Sequence, residues 1–129
     1  MKPNQKIIEI LLVEDNPGDI RLAEEAMKES KILNKMHSVI DGEEALDYLF
    51  QRGKYKDATK PDLILLDLNL PKIDGRDVLK EIKSDETLRR IPVVVLTTSK
   101  SEEDVLKTYN LHANCYVVKP LDLEQFVTV

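Results

Sequence analysis

Read for polarity alone, the chain alternates between two kinds of segment. One is a short apolar run rich in β-branched residues: "IIEILLV" (7–13), "KMHSVI" (35–40), "DLILL" (62–66), "IPVVVLT" (91–97) and "CYVVKP" (115–120). Such runs suit parallel strands covered on both faces, where neither side needs polar residues. The other kind repeats apolar residues every three or four positions, the spacing of a helix with one buried stripe. "IRLAEEAMKES" carries Ile20, Leu22, Ala23, Ala26 and Met27 in this way, behind Asn16 as N-cap and Pro17 as first helical residue. "GEEALDYLFQRG" (42–53) turns Ala45, Leu46, Leu49 and Phe50 inward and stops at Gly53, and "GRDVLKEIKSD" (75–85) buries Val78, Leu79 and Ile82. "SEEDVLKTYNL" (101–111) opens on a capping box of Ser101 and Asp104. "DLEQFVTV" begins a fifth helix that is short or truncated at Val129. The polar stretch "KYKDATKP" between the second helix and the third strand is long for a connection in a tight domain.

Strands alternating with helices predict a parallel sheet wrapped on both faces by right-handed crossovers. The expected fold is α/β: flavodoxin-like, doubly wound, a five-stranded parallel sheet in the order 2-1-3-4-5. Composition agrees. With 129 residues, 42% hydrophobic and 33% charged, the chain reads as a single globular domain over 1–129. A net charge of −5 argues against a nucleic-acid partner, which calls for a basic face. The apolar run at 7–13 is broken by Glu9 and is too short for a membrane span or a secretory signal, so the expectation is a cytoplasmic protein without membrane attachment. Cys115 alone allows neither an intramolecular disulfide nor a cysteine-rich metal site.

In sheets of this kind ligands bind beyond the carboxyl ends of the strands, where strand order reverses, here between the first and third. The first predicted strand ends in Glu14 and Asp15, the third in Asp67, the fourth in Thr97, and Lys119 closely follows the core of the fifth. Each has an ordinary explanation by itself: helix cap, turn residue, β-branched strand end, solvated lysine. Their coincidence at one edge does not. Three carboxylates crowded together repel, and a hard divalent cation relieves them; Mg2+ takes oxygen ligands and is typically held by one or two carboxylates plus phosphate oxygens. Asp15 and Asp67 fit as direct metal ligands, with Glu14 acting through water and the backbone carbonyl of Asn69 as a further donor. An aspartate can attack phosphorus to give an aspartyl phosphate. Asp67, the central acid, is the expected phosphoacceptor, with Lys119 and the Thr97 hydroxyl holding phosphoryl oxygens. Tyr116 reads either as a core aromatic or as a ring that turns between packed and exposed rotamers. His37, His112 and Cys115 carry no metal-ligand spacing.

At these residues the chain resembles the receiver domain of two-component response regulators along nearly its whole length. "LLVEDNP" matches the acidic pair, "LILLDLNLPKIDG" the phosphoacceptor loop, "VVVLTTS" the switch hydroxyl and "YVVKP" the lysine. "DLNLPKIDGRDVL", "IPVVVLTTS" and "LHANCYVVKP", with the longer "QRGKYKDATKPD" connection, are most similar to small stand-alone regulators that partner cyanobacterial phytochrome kinases. The resemblance implies phosphorylation of Asp67 from the phosphohistidine of a sensor histidine kinase. It implies Mg2+ held by Glu14, Asp15, Asp67 and the Asn69 carbonyl, and a protein that catalyses its own phosphorylation and dephosphorylation without being an enzyme otherwise. Thr97 would be drawn inward, with Tyr116 following, and the face of helix 4, strand 5 and helix 5 would be remodelled. A cis Lys119–Pro120 bond is also implied. Output would pass through protein contacts, to a phosphotransfer protein or through a homodimer whose usual face a short fifth helix leaves incomplete. Thr98 stands where many receivers have alanine, and its bulk implies slow hydrolysis of the aspartyl phosphate.

Two other classes fit less well. Aspartyl-nucleophile phosphatases commonly place a second acid two residues after the nucleophile, where this chain has Asn69, an amide that cannot do acid–base work. A nucleotide- or flavin-binding domain would show a glycine-rich loop after the first strand, where "EDNPGD" stands.

Overall fold

The computed structural model describes residues 6–97 and 115–118, with Thr97 and Cys115–Val118 described through their backbone. The strands are β1 (Ile8–Val13), β2 (Asn34–Val39), β3 (Leu63–Asp67), β4 (Val93–Thr97) and β5 (Cys115–Val118). They form one sheet in the order β2-β1-β3-β4-β5, with every neighbouring pair parallel. The helices are α1 (Pro17–Glu29), α2 (Gly42–Leu49) and α3 (Gly75–Ser84), with 3₁₀ turns at Gly53–Tyr55 and Leu88–Arg90. This is the flavodoxin-like arrangement that the polarity pattern predicts. The predicted helices at 101–111 and after residue 121, together with Thr98, Lys119 and Pro120, lie outside the described residues. No helix among the described residues is long and apolar enough to cross a membrane.

Strand alternation divides the core into two layers. Leu11, Val13, Ile64, Leu66, Val93 and Val95 face one side and pack with Leu46, Leu49, Val78, Leu79 and Ile82 of α2 and α3. Ile10, Leu12, Leu65, Val94 and Leu96 face the other side, with Ala23, Ala26 and Met27 of α1. Both faces of the central strands are dry, which is why their sequences are almost uniformly aliphatic.

The helix starts follow the sequence. Asn16 caps α1 by accepting from the Asp19 N–H at 3.0 Å, with Pro17 in the first turn. Departures occur at stripe margins. Leu22 is 43% exposed, since it sits about 100° round the helix from Ala23, at the border of the buried stripe. Phe50 lies just past the end of α2, 36% exposed, with the Arg52 guanidinium 5.2 Å from its ring. Tyr48 takes a core place instead, its ring 6.0 Å from that of His37 and 5.1 Å from that of Tyr55. The helix ends before Gly53, and Gln51 adopts the left-handed conformation at φ 55°. The polar connection has structure of its own: Tyr55 packs against Tyr48 and donates its hydroxyl hydrogen to Glu44 at 2.8 Å.

Candidate functional site

β1 has β2 on one side and β3 on the other, so strand order reverses between β1 and β3. The register Val13↔Leu66 brings the ends of these two strands level at that crevice. Glu14 continues the path of β1, its N–H donating to the Val39 carbonyl at 3.0 Å, and its side chain is fully buried. Its Oε2 accepts from the Asn16 N–H at 3.2 Å, which ties the carboxylate to the turn that starts α1. Asp15 is exposed. Asp67, the last residue of β3, is 2% exposed. Each of the three acids offers an oxygen, and these oxygens all lie within 4.8 Å of one another.

That spacing fits a small divalent cation. Oxygen ligands at about 2.0–2.1 Å from Mg2+ stand roughly 4 Å apart across an octahedron and closer along its edges. The donor set is all oxygen, the preference of a hard cation, and one side is open to solvent through Asp15. Glu14, expected to act through water, is brought into the same cluster as the two aspartates.

The loop leaving β3 is held closely. The Asn69 N–H donates to Asp67 Oδ1 at 3.2 Å, an Asx-type turn that fixes one oxygen of the carboxylate. Leu68, fully buried, anchors the loop: its N–H reaches the Leu96 carbonyl at 3.4 Å and its carbonyl accepts from the Gly75 N–H at 2.9 Å. Gly75 has no room for a side chain, since a Cβ would stand 2.3 Å from the Asp67 carbonyl oxygen and 2.6 Å from Leu68 Cα.

On the far side of β3, the register Asp67↔Leu96 places Thr97 one residue beyond the level of Asp67. Thr97 pairs with Val118, so β5 runs to the same edge, with Lys119 the next residue in the chain. Tyr116 pairs with Val95, two residues earlier. The side chains of Thr97 and Tyr116, and Lys119 altogether, lie outside the described residues. The structure therefore brings Glu14, Asp15, Asp67 and Asn69 together through their atoms, and Thr97 through strand register.

One group of neighbours escapes a reading of the sequence. Asp41 is buried, caps α2 by accepting from the Glu44 N–H at 2.7 Å, and lies 3.7 Å from Lys72 Nζ on the loop after β3. "DG" at 41–42 is legible as a helix start, whereas its contact with a loop some thirty residues later is a product of the fold.

Comparison with known proteins agrees with this geometry. The model of the response regulator receiver domain matches residues 10–129. Response regulator Rcp1 of Synechocystis sp. is 53% identical over 115 residues, covering 89% of this chain and 78% of the relative. The crystal structure of the phosphorylated cyanobacterial phytochrome response regulator RcpA superposes with a TM-score of 0.83 at 55% identity, covering 95% of this chain and 88% of that one. The Mn2+-bound form of Rcp1 gives 0.82 at 50% identity, over 94% and 87%. Sheet order, the acidic crevice and these likenesses lead to one conclusion: the chain belongs to the response regulator receiver domains of two-component signalling.

Proposed function

We propose that this domain is a phosphoryl-accepting switch, with Asp67 as phosphoacceptor and the phosphohistidine of a sensor histidine kinase as donor. In the transfer, an Asp67 carboxylate oxygen forms a bond to phosphorus as the phosphorus–nitrogen bond of the donor breaks, and the imidazole nitrogen leaves with the pair of electrons. The observation that carries this reading is the near-complete burial of Asp67 at the strand-order reversal, with oxygens of Glu14 and Asp15 within 4.8 Å of its own. Glu14, Asp15, Asp67 and the Asn69 carbonyl would hold Mg2+. Bound there, Mg2+ would neutralise charge on the phosphoryl oxygens.

Lys119 and the Thr97 hydroxyl take the remaining phosphoryl oxygens in this reading. Movement of Thr97 toward the phosphoryl group, followed by Tyr116, biases the surface around β5 between two arrangements. The domain spans 1–129, works in the cytoplasm, and promotes its own phosphorylation and dephosphorylation. The likeness to the phytochrome regulators RcpA and Rcp1 supports a phytochrome-type kinase as partner, with output through a phosphotransfer protein or a homodimer.

The test is incubation with acetyl phosphate and Mg2+, followed by intact mass. The expected result is a gain of one phosphoryl group that disappears with EDTA and in Asp67→Asn. A protein that binds Mg2+ and gains no mass would overturn the proposal.

A further inference from the structure

The loop after β3 is gripped from the side as well as at its root. Gly42, the first residue of α2, touches it directly: a Cβ at position 42 would stand 2.2 Å from the Ile73 carbonyl oxygen and 2.7 Å from Ile73 Cβ. Distances that short are impossible for real atoms, and the groups in the way are backbone and a branched β-carbon, neither able to swing aside. The Gly42 N–H also points at the Pro71 carbonyl, 3.4 Å away, and that same carbonyl accepts from the Ile73 N–H at 2.8 Å. Between them, Lys72 holds the left-handed conformation at φ 67°, unusual for a residue with a side chain, and its ammonium lies 3.7 Å from the buried carboxylate of Asp41. Asp41 is itself fixed by the cap it makes to α2.

We infer that Asp41 and Gly42 form a clamp that positions the loop 68–75, and with it the Asn69 carbonyl, for binding the divalent cation. This rests on the functional reading above. The residues do not touch the reacting atoms; they act through Pro71, Lys72 and Ile73. Pro71 has a fixed φ and stands two residues from Asn69, so a displacement at Ile73 passes back along a stiff segment. A Cβ at position 42 must push the loop off α2. A lost Asp41–Lys72 attraction merely loosens it, because Lys72 is mostly exposed and the pair is screened. The glycine is therefore the stronger element.

The test uses the full chain with two variants and two readouts. Gly42→Ala introduces the clash. Lys72→Gly removes the ion pair without adding bulk, and glycine accepts the positive φ at this position, so any loosening reports the lost ion pair; this variant decides the matter if Gly42→Ala does not fold. The first readout is Mg2+ affinity of the folded protein by calorimetric titration. The expected loss is about ten-fold for Gly42→Ala, the scale seen when groups supporting metal ligands are removed, and roughly two- to three-fold for Lys72→Gly. The second is amide exchange in metal-free protein, where the Gly75 and Ile73 N–H groups should exchange faster in both variants while the strands keep their protection. A glycine needed for packing alone would lower the denaturation midpoint and leave Mg2+ affinity and loop exchange at wild-type values; that outcome overturns the inference. If the wild type binds no Mg2+, the functional reading fails, and loop exchange still decides whether the clamp exists.

Discussion

Glu14 and Asp67 are carboxylates at 0% and 2% exposure, each directly following a fully buried aliphatic residue, Val13 and Leu66. Burying an ion is costly unless something compensates it, so two such groups beside a third acid are better suited to holding positive charge than to supporting the fold. Stability and site geometry meet more directly at Gly75. Alanine there would gain little as a helix former, because Gly75 is the first residue of α3 and not part of its interior. Against this, its Cβ would press on the Asp67 carbonyl oxygen and Leu68 Cα, and overpacking a tight site costs roughly 1–3 kcal/mol. Both neighbours are backbone, so the clash wins. Gly75→Ala is expected to lower the urea midpoint of unfolding; a midpoint at or above wild type would contradict the closeness of this contact. The acids themselves were legible in the sequence because each ends an apolar run. Gly42, Asp41 and Lys72 were not, because their importance lies in a meeting of segments that no local pattern encodes.

At the scale of elements, polarity alone tells strands from helices among the described residues. It fails at their edges. Leu22 and Phe50 read as buried and lie at the margin, while Tyr48 is buried because His37 on β2 and Tyr55 in the following turn close over it. The long connection after α2 is pinned by Tyr55, whose hydroxyl is pushed up to about 12 by burial first and by its hydrogen bond to Glu44 next. The folded protein thus holds the proton more tightly than the unfolded chain, where the group titrates near its ordinary value of 10.0. The resulting stabilisation is complete below pH 10 and is lost as pH rises toward about 12. A spectrophotometric titration of tyrosinate should show late components from Tyr55 and from Tyr48, which burial also pushes up; Tyr55→Phe should remove one of them, and the variant should lose about 1 kcal/mol of stability at neutral pH. Titration of every tyrosine near its ordinary value would refute the Tyr55–Glu44 tie.

For the whole molecule, function depends on topology. β1 and β3 are neighbours although a strand and two helices separate them in the chain, and only that adjacency brings Glu14 and Asp15 to Asp67. The sheet order was legible because alternating strands and helices leave few ways to wind a five-stranded parallel sheet. The distances among the carboxylates were not, since they depend on a one-residue register, Val13 opposite Leu66. A slip of one position would turn every side chain on the strand to the other face and disperse the site.

On the proposed function, one carboxylate of this cluster, Asp67, takes the phosphoryl group. Treating the acetyl phosphate-loaded protein with borohydride reduces an aspartyl phosphate to homoserine, and peptide mapping then reports its position. Homoserine is expected at residue 67 and nowhere else. Homoserine at Asp15, or phosphate retained on a serine or threonine after the reduction, would contradict it.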